Sequence, residues 1–246
     1  MIRVVVAGHR GKVGSEIVRA LEDEPGMEYA GGAGSGDDLA ALLGAARPAA
    51  MVDFTRPGVG LANALAAVEA GVAPVVGTTG FSDGDVDRLE AACRERGVGG
   101  IVAPNFAIGA VLMMRLAEIA APFFDAVDII EAHGVGKRDA PSGTALGTAR
   151  RMARARGSQG FRRAPEPEAT LEGARGGARD GIGVHSLRLP GLLADQEVIF
   201  GLPGQTLSVI HRTTGRQAFT PGVMLAIRRV TAGPDFHRGL DELLGL

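Results

Sequence analysis

From Glu131 to Thr144 the chain reads Glu-Ala-His-Gly-Val-Gly-Lys-Arg-Asp-Ala-Pro-Ser-Gly-Thr. This places an imidazole, His133, and an ammonium, Lys137, just ahead of Ser142-Gly143-Thr144. Imidazole titrates close enough to neutrality to give or take a proton, and the ammonium attracts a carboxylate. Pro141 blocks helix growth on its N-terminal side and Ser142 is a good N-cap, so the N–H groups of Gly143 and Thr144 are left for an anion. The chemistry outlined is reduction of a small carboxylate substrate with proton transfer. His133 and Lys137 have i, i+4 spacing, which on a helix shares a face, but Gly134, Gly136 and Pro141 argue for a loop. Taken singly, His133 is more often a structural histidine and Lys137 a solvated lysine; the combination with the anion-binding helix start carries the reading.

A second chemical element lies near the N-terminus, where Gly8-His9-Arg10-Gly11-Lys12-Val13-Gly14 follows an apolar run and enters a helical segment. Glycines there permit a tight turn and close approach of backbone to a pyrophosphate. The spacing is Gly-x-x-Gly-x-x-Gly rather than Gly-x-Gly-x-x-Gly, so a plain strand-to-helix turn remains an alternative. Sites that prefer NADH carry an acid about 20 residues past the glycines. Here that window, Glu28 to Ser35, has no acid at the expected strand end. Arg10 and Lys12 sit inside the glycine loop, and each can form a charge-assisted bond of roughly 1.5–3 kcal/mol with a 2′-phosphate. NADPH is therefore the expected cofactor, with NADH possible. Gly77-Thr78-Thr79-Gly80 and Ala103-Pro104-Asn105-Phe106 each follow an expected strand and suit the walls of a nicotinamide site, although Gly, Thr and Asn also serve ordinary turns.

The elements that position these residues follow from periodicity. Strands over 2–7, 49–54, 74–77 and 100–103 alternate with helices over about 13–21, 58–70 and 83–96, which predicts a parallel sheet covered on both faces. After a helix over about 108–121 come a strand over 127–133 and a helix over 140–155. A Gly/Ala/Arg/Pro-rich loop over 157–181 follows, then strands over 184–189, 197–202 and 205–211, the last two joined by Pro203-Gly204 as a hairpin. This predicts a second domain with an antiparallel sheet. The apolar helix over 221–230 can return to the first domain.

The 246 residues carry 26 Lys and Arg against 28 Asp and Glu, a net charge of −2, which excludes a polycation of the kind that binds nucleic acid without specificity. The single cysteine, Cys93, permits no intrachain disulfide and fits a reducing compartment. No apolar run reaches the ~20 residues that span a bilayer, and the chain starts on a strand, so a cytoplasmic location is expected, with no membrane or nucleic-acid partner and no metal.

Together these motifs resemble the 4-hydroxy-tetrahydrodipicolinate reductases (dihydrodipicolinate reductases) of lysine and diaminopimelate biosynthesis, with the length and Gly-Lys-Val-Gly of actinobacterial members. Besides the segments quoted, the likeness includes Val52-Asp-Phe-Thr55, Val76-Gly-Thr-Thr-Gly-Phe81, Ala103 through Gly109, His185-Ser-Leu-Arg188 and Phe219-Thr-Pro-Gly222. It implies an α/β fold. A Rossmann-like parallel-sheet dinucleotide domain over 1–105, with a C-terminal return over 216–246, is joined to an α+β substrate-binding and oligomerisation domain over 106–215. The second domain has a mixed, largely antiparallel sheet. It further implies NAD(P)H-dependent reduction of a cyclic dicarboxylate and a homotetramer. His133 matches the family's proton donor and Lys137 its partner lysine. Ser142, Gly143 and Thr144 match the loop that grips a carboxylate. Gly8, Arg10, Gly11, Lys12, Val13, Gly14, Gly77, Thr78, Thr79, Ala103, Pro104, Asn105 and Phe106 match the cofactor loops.

One departure stands out. The family pattern is Glu-x-His-His-x-x-Lys, and Gly134 replaces the second histidine, with Gly136 before Lys137. Loss of one charge-assisted hydrogen bond costs roughly 1.5–3 kcal/mol unless a neighbour such as Arg138 compensates. The departure leaves two further readings: a paralogous reductase of a related cyclic imine or unsaturated acid, and a non-catalytic dinucleotide-binding sensor.

Overall fold

The computed structural model describes residues 1–163 and 170–246 of the chain. Six strands, β1 (Ile2–Ala7), β2 (Met27–Ala33), β3 (Ala50–Asp53), β4 (Ala73–Val76), β5 (Gly100–Val102) and β11 (Phe236–Arg238), form one sheet in the order β11-β5-β4-β3-β1-β2. Every pairing in it is parallel. A parallel strand is buried on both faces, which is why Val4, Val5, Val6 and Ala7 run on as one apolar stretch.

Helices α2 (Leu39–Ala46), α3 (Gly60–Glu69) and α4 (Asp83–Arg96) cover one face, with Val5, Ala7, Leu43, Met51 and Ala67 in one core and Val68, Val76, Leu89 and Cys93 in a second. Helices α1 (Gly14–Asp23) and α7 (Thr220–Val230) pack against β1 and against β3, β4 and β5, respectively. Ser82 caps α4 in a reciprocal box with Asp85, and Gly97 ends it in the left-handed conformation. Cys93 on α4 is fully buried, and burial first, then the Glu90 charge, pushes its thiol up to about 12. A thiol of that kind is inert.

The second sheet contains β6 (Ala126–His133), β7 (Gly177–Arg179), β8 (Ile182–Arg188), β9 (Ala194–Leu202) and β10 (Gln205–His211), ordered β10-β9-β6-β8-β7. Only β6 and β8 are parallel; the other pairings are antiparallel. Pro203 and Gly204, the latter at φ +82°, close the β9–β10 hairpin. Against this sheet lie α5 (Ile108–Ala120) and α6 (Gly143–Arg156), whose Met113, Ala117 and Met152 join Ile129, Val198 and Phe200 in one core. Each such large side chain withdrawn from water contributes roughly 1.5–3 kcal/mol. A short α8 (Asp241–Leu244) ends the chain.

Contacts divide the chain into two compact units, Met1–Ile108 with Arg216–Leu246, and Gly109–Gly215. The fold is thus a Rossmann-like parallel α/β unit and a second unit built on a mixed sheet. The 157–181 segment is not loop throughout, because β7 pairs with β8 there; its residues 164–169 lie outside the described residues. No helix among the described residues is long and apolar enough to cross a membrane.

Candidate active site

In the first unit the turn after β1 is built from backbone. Gly8 has φ +83°, and a Cβ on it would lie 2.5 Å from the Phe54 carbonyl oxygen. A Cβ on Gly14 would lie 2.1 Å from the carbonyl oxygen of Gly8. The turn closes through Gly11 N–H donating to Gly8 O at 2.8 Å, and α1 follows from Gly14, its N-cap residue Val13 making no side-chain cap. A helix start without a side-chain cap behind a glycine-built turn fits the pyrophosphate of a dinucleotide.

A groove of ≈ 750 Å³ runs along this turn, lined also by residues 34–37 after β2 and by Thr55 and Arg56 after β3. Arg10 lines it, its Nε donating to His9 Nε2 at 3.1 Å. Lys12 is exposed and is not part of the lining, which includes a second cation, Arg56. Two acids flank the β2 strand end, one early and one late. Glu28 lies at the start of β2 and pairs with Arg3 at 3.4 Å. Asp37, two residues beyond the window, borders the groove and accepts the Gly34 N–H at 2.8 Å. β2 ends at Ala33, inside that window, and Asp37 stands in the loop that follows.

The remaining cofactor loops fall at strand ends of the same sheet, but their side chains are largely engaged. Thr78 is buried, its hydroxyl donating to Asp53 Oδ1 at 2.5 Å and accepting the Thr55 N–H at 2.8 Å. Asn63 Nδ2 donates to Asp53 Oδ2 at 2.8 Å. Thr78 therefore ties the β3 and β4 loops together, its O–H committed to Asp53. Gly77 carries no side chain because Phe54 occupies the space, 2.2 Å from where a Cβ would stand. Thr79 is exposed. After β5, Ala103 is buried and Pro104 exposed, Asn105 Oδ1 accepts the Ala107 N–H at 2.9 Å, and Phe106 packs on Phe54 at 5.7 Å between ring centroids.

In the second unit β6 delivers its carboxyl end to the loop over 134–142. Strand period two puts Glu131 and His133 on one face, and β8 brings Arg188 into register with His133. Glu131 is completely buried. Its carboxylate accepts Arg188 Nη2 at 2.8 Å and Nη1 at 3.0 Å, the Ser142 N–H at 3.2 Å, and bonds His133 Nδ1 at 2.5 Å. Burial pushes Glu131 upward, but hydrogen bonds from Arg188, Ser186 and His133 outweigh it and bring it below the usual carboxylate range. Burial lowers His133 below the ordinary imidazole value; the Glu131 hydrogen bond and charge oppose this, and the charges of Lys137 and Arg188 add to it.

Lys137 Nζ is held by the exposed Asp139, at 2.8 and 3.0 Å, and that bond lowers the Asp139 carboxyl. Ser142 Oγ accepts the Ala145 N–H at 3.1 Å, capping α6, while Ser142 N–H goes to Glu131. With both groups used and the residue buried, Ser142 shapes the helix start, and the N–H groups of Gly143 and Thr144 are the ones left at it. Glu131 joins His133 to the Ser142 N–H at the start of α6, and the Lys137 charge acts on the same imidazole. Sequence reasoning passed over Glu131 and Arg188 as a pair; the Glu-x-His alternation on a strand was the available signal for the first of them. At the departure, a Cβ on Gly134 would stand 2.9 Å from the Leu192 carbonyl oxygen, so backbone closes the space beside it. Among the described residues no group of three or more His, Cys, Asp or Glu is placed to hold a metal ion.

Residues 2–106 match the family description "Dihydrodipicolinate reductase, N-terminus" and residues 109–244 match its C-terminus. The chain is 46% identical to the 4-hydroxy-tetrahydrodipicolinate reductase of Moorella thermoacetica, covering 99% of this chain and 98% of that one. It is 45% identical to that of Mycolicibacterium smegmatis over the full length of both. Among solved structures it is similar to a dipicolinate-bound dihydrodipicolinate reductase from Paenisporosarcina sp. TG-14, with TM-score 0.89, 38% identity, and 98% and 99% of the two chains covered. An amine dehydrogenase from Mycobacterium smegmatis, at TM-score 0.65, 14% identity, and 96% and 94% coverage, shares the fold alone. Matched in both halves and along nearly its whole length, the chain belongs to the dihydrodipicolinate reductase family.

Proposed function

We propose that this chain reduces 4-hydroxy-tetrahydrodipicolinate to tetrahydrodipicolinate in lysine and diaminopimelate biosynthesis, with NADPH preferred and NADH accepted, as a cytoplasmic homotetramer. The observation that carries this is the cluster of His133, Lys137 and the open α6 start around the buried Glu131, in a chain related to named reductases end to end. The nicotinamide supplies a hydride. The turn of Gly8, Gly11 and Gly14 and the start of α1 would hold its pyrophosphate, and Arg10 a 2′-phosphate. Asp37 accounts for use of NADH, since an acid beyond the second strand suits a free ribose diol.

His133 provides the proton for the reduced product, and water leaves from the hydroxylated carbon. The Gly143 and Thr144 N–H groups hold one substrate carboxylate. Lys137 holds the other by exchanging Asp139 for it, an exchange that costs little because an exposed ion pair is worth about 0–1 kcal/mol. The exposed Leu187, Leu189, Leu207 and Ile210 of the mixed-sheet unit are the apolar surface that assembly would cover.

A reductase of a related cyclic imine or unsaturated acid is the second reading, favoured by the closed space at Gly134. Consumption of NADPH with freshly generated pathway precursor, compared against a panel of cyclic imine acids, separates them. Catalytic efficiency highest for the precursor supports the assignment, and highest for another ring overturns it. Light scattering tests the tetramer.

A further inference from the structure

We infer that Glu131 is a positioning residue that fixes which nitrogen of His133 carries the proton, with Arg188 keeping it in that task; the inference rests on His133 being the proton donor. Glu131 lies 0% exposed and spends both oxygens on Arg188, His133 and the Ser142 N–H. Facing the guanidinium as a carboxylate, it has only acceptor sites to offer. The proton in its bond with the imidazole therefore belongs to Nδ1, and Nε2 becomes the nitrogen that exchanges a proton with substrate. Free neutral histidine favours the opposite tautomer, so the protein is imposing this one.

The same carboxylate bonds the N–H of Ser142, the N-cap of α6. Proton donor and anion-holding helix start thus take their positions from one group. Arg188 comes from β8, opposite His133 in the ladder, and its Nη2 also donates to the Asp139 carbonyl at 2.6 Å, which pins the far side of the loop. Without the guanidinium a buried carboxylate would take up a proton rather than stay charged, and its O–H could then donate to the imidazole and release the imposed tautomer.

Ring 15N and 13C NMR of the holoenzyme reads the tautomer directly, the His133 signals being assigned by their loss in His133→Gln. The Nδ1–H form is expected in the wild type, and the Nε2–H form overturns the inference. In Glu131→Gln the side chain offers a donor as well as an acceptor, so the population moves toward Nε2–H and kcat falls about 10²-fold. KM for the dicarboxylate moves by less than about threefold, because Ser142 Oγ still caps α6. The falling limb of kcat/KM shifts to lower pH, since Glu131 is the group that raises His133 against burial, Lys137 and Arg188. Arg188→Lys, which keeps the charge and loses the fork, falls between the two enzymes. A folded Glu131→Gln with unchanged kcat contradicts the inference; if that variant does not fold, the wild-type tautomer decides. Wild type with Nδ1–H but no turnover of the precursor would sink the reductase reading and leave the positioning intact, whereas turnover with Nε2–H would sink the positioning alone.

Discussion

The glycine turn of the first unit is made of backbone, whereas the Glu131 cluster of the second is made of charge. At the turn the decisive facts are steric: a φ of +83° at Gly8, and no room for a Cβ at Gly14. At the cluster they are electrostatic, since Glu131, Arg188, His133, Lys137 and Asp139 hold one another by hydrogen bonds within one loop and two strands. A backbone site keeps its shape through changes of pH and fails when a single carbon is added. A side-chain site keeps its fold through isosteric changes and fails when a charge or tautomer is altered. Binding of a cofactor that must not react on its own and chemistry on a substrate that must gain a proton call for these two kinds of construction.

That contrast can be pressed with substitutions. The largest effect is expected at His133: His133→Gln lowers kcat by about 10²–10⁴-fold while cofactor affinity, measured by NADPH fluorescence, stays within about twofold. An equal loss in both would dissolve the division of labour. Next, Gly14→Ala drives a methyl into the Gly8 carbonyl and costs about 1–3 kcal/mol in denaturant unfolding, with a matching loss of NADPH binding. A variant that binds NADPH as before would show that the turn can yield.

Arg10→Ala weakens NADPH by about 10–100-fold and NADH by little, read as two dissociation constants. Equal losses would remove Arg10 from the 2′-phosphate. The smallest effect is expected at Asp139, where Asp139→Asn frees Lys137 and lowers KM for the dicarboxylate by at most about fivefold, because the displaced pair is exposed. A raised KM would mean that Asp139 orients the lysine for substrate rather than competing for it.

The legible parts of this molecule are those written in local pattern. The apolar runs of β1, β3 and β4 and the capped helix α4 announce themselves within a few residues of where they lie. So does the Pro203-Gly204 turn. Pro141, Ser142 and the residues after them read as a helix start because capping is a property of four or five consecutive residues. What escaped depends on pairing across the chain. Glu131 and Arg188 are 57 positions apart and meet only through the parallel register of β6 and β8. Nothing near Thr78 in sequence reveals the buried Asp53, 25 positions away, that takes its hydroxyl. β2 ends within the window counted from the glycine turn, but Asp37 stands in the loop beyond it, held to the groove by the Gly34 N–H rather than by any strand period. The edge strands β7 and β11, of three residues each, are too short to show a period.

The central claim, that His133 gives up the proton in the reduction, is tested most directly by the pH dependence of kcat/KM for the precursor in the wild type and in His133→Gln. Its imidazole is held below the ordinary value of 6.5 and must be protonated to act, so kcat/KM falls as pH rises through that lowered value. The decline continues at about tenfold per pH unit across the neutral range, and the limb is absent in His133→Gln. A wild-type profile that is flat between about pH 6 and 8, or one that His133→Gln reproduces, contradicts the assignment.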